Sequence, residues 1–120
     1  MSVASKPELT HGITFHLTPE EVWLAQAAAA MYEPEGFAEE GFIHCTNGED
    51  EVLAVGNRYY QADPRPYVIL ALDIALVRAR VRYDDSAMNY PHIYGPLDRE
   101  AVITVRAIER DEIGTFMAIQ

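Results

Sequence analysis

Gly41-Phe42-Ile43-His44-Cys45-Thr46 is the stretch that decides the fold, because an apolar run carries one histidine and the only cysteine and then meets helix-start residues. It predicts a short strand, Gly41 to Cys45, followed by a helix that starts at Thr46-Asn47 and reaches about Gln61. A second stretch, Tyr90-Pro91-His92-Ile93-Tyr94-Gly95-Pro96-Leu97, also sets a histidine among apolar and aromatic residues. The sequence therefore raises the question of whether the two imidazoles line one pocket.

The residues before this stretch predict one strand and one helix. Gly12 to Leu17 is rich in β-branched and aromatic residues, which is typical of a strand, and His16 shares one of its faces with Thr14. Thr18-Pro19-Glu20-Glu21 predicts a helix start with a capping box, and that helix is expected to continue to about Met31. Phe37 to Gly41 is expected to be a turn. His16 thus precedes a helix as His44 does.

The second half of the chain predicts strands joined by short connections. Tyr67 to Asp73 is a nearly continuous apolar run, which indicates a strand buried on both faces. Ala79 to Tyr83 alternates, which predicts a half-exposed strand with Arg80 and Arg82 on one face. The element order favours an α+β domain, and the short connections favour antiparallel pairing. The other predicted strands are Ala101–Glu109 and an edge strand at Thr115–Ile119, with a very short edge strand or a structured loop at His92–Gly95.

Composition excludes several classes of protein. The 120 residues fit one domain, which we expect to comprise residues 12–120 behind a flexible tail of residues 1–11. A net charge of −10 argues against nucleic-acid partners and against adhesion to anionic membranes, both of which require basic surface. No apolar run approaches the roughly 20 residues of a membrane span. With no apolar signal core in Met1 to Thr10, a cytoplasmic protein is expected.

Three histidines are the candidates for chemistry. His16 and His44 stand at strand ends before helix starts, and a neutral imidazole there can act as a general acid or base near neutral pH. His92 lies between two prolines that fix its backbone. The structural alternatives are a core histidine bonded to a carbonyl and a loop plug packed on the core. A zinc site of all three is a further alternative, but the spacing of known zinc motifs is absent, so no metal is assigned.

The neighbours of these histidines suggest binding roles. Thr46 returns to the His44 face, whereas Cys45 points away from it and is expected to be a buried core residue. Tyr94 shares a face with His92 in an extended chain, and its ring could stack on a planar ligand or simply pack on its neighbours. Gly95 permits a close backbone approach.

Both stretches resemble the signatures of a bacterial family known as domain of unknown function 952. Phe15-His16-Leu17, Asn57-Arg58-Tyr59-Tyr60 and Leu72-Asp73 also fit that family. The family is similar in fold to ADP-ribosyltransferases, which bind NAD in a cleft between two small, mostly antiparallel sheets. The resemblance therefore implies such a cleft with two N-terminal helices, in which His16 contacts the ribose. The pair of histidines is most similar to the RNA 2′-phosphotransferase branch.

The leading hypothesis is a histidine-lined cleft that binds NAD or a related nucleotide and acts as an ADP-ribosyltransferase-like enzyme. The alternative is a noncatalytic module that binds a small molecule or a protein and retains only the cleft, because the late glutamate of protein-modifying relatives has no counterpart here. A histidine-cluster metal enzyme is the third hypothesis. The residues assigned to catalysis are His16, His44 and His92, and those assigned to ligand binding are Thr46, Tyr94, Gly95 and Asn57.

Overall fold

The computed structural model describes residues 12–120, so the expected tail, residues 1–11, lies outside the described part. The domain is α+β, as predicted, with three short α-helices and nine strands in the described residues. Two single 3-10 turns, Ile74–Leu76 and Arg99–Ala101, connect strands. The elements are β1 Ile13–Pro19, α1 Glu20–Leu24, β2 Met31–Tyr32, α2 Phe37–Glu40, β3 Ile43–His44, α3 Glu49–Tyr59, β4 Tyr67–Asp73, β5 Arg80–Tyr83, β6 Pro91–Tyr94, β7 Leu97–Asp98, β8 Val102–Arg110 and β9 Phe116–Ile119.

The strands form a four-stranded sheet in the order β1-β4-β8-β9, a three-stranded sheet in the order β3-β6-β5, and a small β2-β7 pair. Neighbouring strands in these sheets pair antiparallel, which confirms the predicted pairing. An isolated bridge between Phe15 and Thr46 joins the first strand to the segment after β3. This bridge holds the four-stranded and three-stranded sheets together beside His44.

β4 separates two apolar cores because its side chains alternate between faces. Leu70 and Leu72 pack on one side with residues of the three-stranded sheet, such as Ile93. Ile69 points to the other side, where Val52 of α3 lies. The expected burial of Tyr67–Asp73 on both faces is confirmed. Full burial of each such side chain contributes about 1.5–3 kcal/mol, so β4 stabilises both cores.

The helix predicted from Thr18 to about Met31 is wrong in length, because α1 ends at Leu24. The alanines at positions 27–30 are exposed, so helix propensity is not supported by an apolar face packed on the core. Carbonyl groups of this segment accept hydrogen bonds from a distant arginine. Arg99 donates from Nε to the oxygen of Ala29 at 2.8 Å and from Nη2 to the oxygen of Gln26 at 2.6 Å. The predicted capping box is also absent, since Thr18 shares a 2.6 Å hydrogen bond with the hydroxyl of Tyr32.

Three further predictions need correction. The predicted turn from Phe37 contains the short helix α2, so the described chain has three helices and not two. The helix expected to begin at Thr46-Asn47 begins at Glu49, with Gly48 as its N-cap residue at φ +95°. β6 is the central strand of its sheet and not an edge strand. Its proline, Pro91, is tolerated because it occupies the first position of the strand.

Among residues 12–120, no helix is both long enough and apolar enough to cross a membrane.

Candidate functional site

His44 and His92 lie directly opposite each other on β3 and β6, where the register pairs Ile43 with Ile93 and His44 with His92. Directly opposed residues on antiparallel strands project from the same face of the sheet. Their ring centroids are 5.2 Å apart, with the ring planes at 81°. The apolar runs that contain the two histidines therefore place both imidazoles side by side.

Phe42 fixes the orientation of both rings. It stacks on His92, with centroids 4.2 Å apart and planes at 17°, and it meets His44 edge-on at 4.8 Å. Aromatic contacts of this geometry contribute about 0.5–1.5 kcal/mol beyond the burial of area. The pair is therefore held by a third ring.

Asp84 sets the tautomer of His92. Its Oδ2 accepts a hydrogen bond from Nδ1 of His92 at 2.9 Å and from the hydroxyl of Tyr94 at 2.6 Å. The hydrogen bonds from Tyr94 and His92 lower the pKa of the Asp84 carboxyl, so the carboxylate accepts and Nδ1 carries the proton. In the neutral tautomer that this hydrogen bond favours, Nε2 of His92 carries the lone pair, and no hydrogen bond to it is found among residues 12–120. An imidazole held in this way can accept a proton from a ligand.

His44 is held less tightly. Its Nε2 lies 3.3 Å from Oε2 of Glu40, four residues earlier at the end of α2, and both side chains are about half exposed. An exposed pair of this length contributes little to stability. The orientation of His44 therefore depends mainly on its contacts with the rings of Phe42 and His92.

His16 is 5% exposed and lies beneath His44. Its Nδ1 is 2.7 Å from the carbonyl oxygen of His44, and because a carbonyl only accepts, Nδ1 carries the proton. Burial lowers the pKa of His16 to about 4, so the ring is neutral near pH 7. Its Nε2 is buried and has no partner among the described residues. His16 thus touches the main chain of His44, which the sequence could not specify.

Two cavities meet at His44. The larger, which we call the His92 cavity, measures about 640 Å³. The smaller, which we call the His16 cavity, measures about 360 Å³. Glu40, His44 and Tyr60 line both of them. The three histidines therefore line two adjoining cavities, with His44 between them.

The residues predicted to bind a ligand fall into two groups. Thr46 lines the His92 cavity. Tyr94 contacts it indirectly, because its hydroxyl donates a hydrogen bond to Asp84, which is a lining residue. Gly95 makes a close approach to Ala79, since a Cβ at this position would lie 2.8 Å from that of Ala79. Asn57 pairs through both atoms of its amide with the backbone of Phe116, at 2.7 and 3.1 Å, and so ties α3 to β9. Neither of these two lines either cavity.

Cys45 is buried in the first core, as expected, and burial raises the pKa of its thiol, which makes it a poor nucleophile.

Sequence reasoning missed several residues of the site. The sequence indicates only loop charge at Asp84, because the link of this residue to His92 depends on the pairing of β5 with β6. Glu40 stands four residues before His44, a spacing that is informative only once the helix at Phe37 is recognised. The remaining residues of the His92 cavity that were not predicted include Arg58, Tyr59, Asp85 and Tyr90. In the part of the chain that the structure describes, no group of three metal-ligating side chains is found.

Comparisons with known proteins identify a family and a fold. The family described as "Protein of unknown function (DUF952)" matches residues 17–105. A crystal structure of protein CC0527 from Caulobacter crescentus matches with a TM-score of 0.74 and 18% sequence identity, covering 88% of this chain and 93% of that chain. A crystal structure of a double mutant of CC0527 gives a TM-score of 0.73 with the same identity and coverage. A solution NMR structure of CC0527 gives 0.69 at 18% identity, covering 88% and 92% of the two chains. No curated protein matches the chain.

Proposed function

The chain belongs to the DUF952 family, and we propose that it binds NAD or a related nucleotide in the His92 cavity and transfers a group from it, as an ADP-ribosyltransferase-like enzyme. The observation that carries the proposal is the Asp84–His92 pair with His44 beside it, at a ring distance of 5.2 Å. A carboxylate that orients an imidazole is a common arrangement for a general base.

The His92 cavity suits a ligand of this size and character. Pockets for small ligands commonly enclose about 300–1,000 Å³, and this one measures about 640 Å³. The tyrosine rings of its wall, including Tyr59 and Tyr90, offer faces for a base or a nicotinamide ring. Arg58 supplies a cation for a phosphate, whereas Asp84 and Asp85 favour the positively charged nicotinamide end.

The proposed reaction exchanges one bond to the ribose carbon C1′ for another. The bond from C1′ to the nicotinamide nitrogen breaks, and its electron pair leaves with neutral nicotinamide. A lone pair of an acceptor oxygen or nitrogen forms the new bond to C1′. Nε2 of His92 takes the proton that the acceptor loses, and Asp84 stabilises the imidazolium that forms. Carboxylates on the cavity wall stabilise positive charge that develops on the ribose.

His44 and His16 have different parts in this proposal. His44 reaches the ligand, because its half-exposed ring stands between the two cavities. His16 holds the main chain of His44 through a buried hydrogen bond, so it acts as a positioning residue for this nucleotide. Its expected contact with the ribose stays a prediction.

Calorimetric titration with NAD and with ADP-ribose tests binding, and measurement of released nicotinamide tests transfer. We expect His44→Ala to weaken nucleotide binding about tenfold, which corresponds to the loss of one good contact. We expect His92→Gln to lower nicotinamide release by about 10²-fold while binding changes little. Glu112→Gln, in an exposed turn, is the matched control and should behave as the unaltered protein. If neither NAD nor ADP-ribose binds, the proposal is wrong.

The alternative, a noncatalytic binding module, is favoured by the charge of the cavity wall. The described residues that line the cavity include one arginine, Arg58, and three carboxylates, those of Glu40, Asp84 and Asp85, so the wall is net acidic. A module that retains only the cleft would bind its ligand without releasing nicotinamide, at any concentration of acceptor. Release that depends on His92 excludes this alternative.

A further inference from the structure

The His16 cavity lies across His44 from the proposed nucleotide site and has its own chemistry. Glu35, Glu39 and Glu40 place three carboxylates on its wall. Both oxygens of Glu35 are used by the guanidinium of Arg65, at 2.9 and 3.0 Å. Glu39 has no ion pair among the described residues, and Glu40 has only the 3.3 Å contact of its Oε2 with Nε2 of His44, so both carboxylates are open to a cation. Among the described residues that line this cavity, none is a lysine or an arginine.

His16 lines the same cavity and carries a hydrogen-bond acceptor that is unpaired among the described residues. The imidazole is 5% exposed, its Nδ1 donates to the carbonyl of His44, and its Nε2 is buried without a partner in the described chain. Leaving such an atom unpaired costs about 1–3 kcal/mol. Because Nε2 carries a lone pair and no proton, only a donor can satisfy it. The partner of His16 must therefore bring an N–H or O–H group.

The rest of the wall is aromatic and apolar. Tyr60 and Tyr67 stack with centroids 5.3 Å apart, and Phe42 lies on the same wall. Ring faces attract cations at distances up to about 6 Å. Leu17 and Pro34 give the remaining surface apolar character, which suits an alkyl stem.

From these groups we infer that the His16 cavity binds an organic cation, an alkylammonium or guanidinium group that donates to Nε2 of His16 and pairs with Glu39 and Glu40. The rings of Phe42 and Tyr60 cover the cation and its stem, and Tyr67 supports the ring of Tyr60 by stacking on it. This inference goes beyond the proposed nucleotide and does not depend on it, since the cation occupies the other side of His44. An anion is disfavoured by the same two carboxylates.

NMR titration with small probes tests the inference without any nucleotide. n-Butylammonium, n-butylguanidinium, n-butanol and butyrate share one alkyl stem and differ in their head group. We expect the two cations to shift the Nε2 resonance of His16 saturably, and butyrate and butanol to leave it unchanged at equal concentration.

A double variant of the cavity wall tests the two carboxylates. Glu39→Gln/Glu40→Gln should weaken binding of the cations about fivefold, as expected for two partly exposed ion pairs. Glu109→Gln/Glu112→Gln, which neutralises two exposed glutamates outside the cavity, is the control of equal charge change and should bind the cations as the unaltered protein does.

Three results would overturn the inference. These are binding of butyrate or butanol as tight as that of the cations, an unshifted His16 resonance at saturating cation, and equal affinity in the cavity variant and the control. Because none of the probes contains a nucleotide, these results leave the transfer proposal untouched, and a failure of NAD to bind leaves this inference untouched.

Discussion

His16 links the protonation of one side chain to the stability of the fold. Burial keeps its pKa near 4 in the folded protein, against an ordinary value of 6.5, because a charged imidazole would lose its hydration there. The unfolded chain therefore binds this proton at a higher pH than the folded chain does. Stability contributed by neutral His16 is complete above pH 6.5 and is lost as the pH falls towards 4.

We accordingly predict that the free energy of unfolding falls between pH 6.5 and pH 4 by roughly 3 kcal/mol more in the unaltered protein than in His16→Asn. Asparagine can still donate to the carbonyl of His44 but does not titrate. Urea denaturation at several pH values measures the difference. Parallel pH profiles in the two proteins would show that His16 is not buried in its neutral form.

Asp84→Asn should disturb His92 without unfolding the protein. An amide that donates to Nδ1 would move the imidazole proton to Nε2, so His92 would lose the lone pair on which the proposed transfer depends. We expect nicotinamide release to fall about 10²-fold. Nitrogen NMR of the imidazole reports the tautomer directly.

Tyr94→Phe is the matched control for that variant, because it removes the second hydrogen bond to Oδ2 of Asp84 and keeps the pair with His92. It should retain the Nδ1–H tautomer and most of the activity. An unchanged tautomer and unchanged release in Asp84→Asn would argue against the role of Asp84 as the residue that positions His92.

At the scale of elements, β6 depends on a close approach at Gly95. A Cβ at this position would lie 2.8 Å from Cβ of Ala79, which is tighter than side chains accept. Gly95→Ala should therefore lower the free energy of unfolding by about 1–3 kcal/mol. Adding Ala79→Gly should restore part of this loss, since it removes the opposing atom. Urea unfolding of the two single variants and the double variant gives the coupling, and additive losses would contradict a packing role for Gly95.

The segment after α1 depends on Arg99, whose guanidinium bonds the carbonyls of Gln26 and Ala29 and lies 4.1 Å from the ring centre of Trp23. Arg99→Ala should lower the free energy of unfolding by about 2–4 kcal/mol, because charged donors are lost from two carbonyls. Arg80→Ala, an exposed arginine on β5, should change it by less than about 0.5 kcal/mol. Equal effects of the two changes in thermal or urea unfolding would contradict this.

Arg99 also explains why the sequence misled on this segment. Alanines favour a helix locally, but the contacts that end α1 come from a residue 73 positions away from Gln26. By contrast, the strand Tyr67–Asp73 was predicted with its observed bounds. Its residues are nearly all apolar, so the sequence alone indicates that the segment is buried. Local sequence patterns thus located the strands whose own residues are apolar enough to require burial.

In the whole molecule, the cleft arises where two sheets meet. β1 belongs to the four-stranded sheet and carries His16, whereas His44 and His92 belong to the three-stranded sheet, and the Phe15–Thr46 bridge joins the two. The sequence predicted that His16 and His44 could converge, because each was placed at a strand end before a helix, whereas for His92 it raised only the question of a shared pocket. The carboxylates that orient them were not, because Asp84 and Glu40 reach the histidines only through the folded backbone.

The most direct test of a nucleotide site at this junction is an NMR titration with NAD that observes the ring nitrogens of all four histidines. We predict saturable shifts for His44 and His92, while His11, to which the sequence assigns no role, provides the internal reference and should not move. Unchanged resonances of His44 and His92 at millimolar NAD would contradict the account.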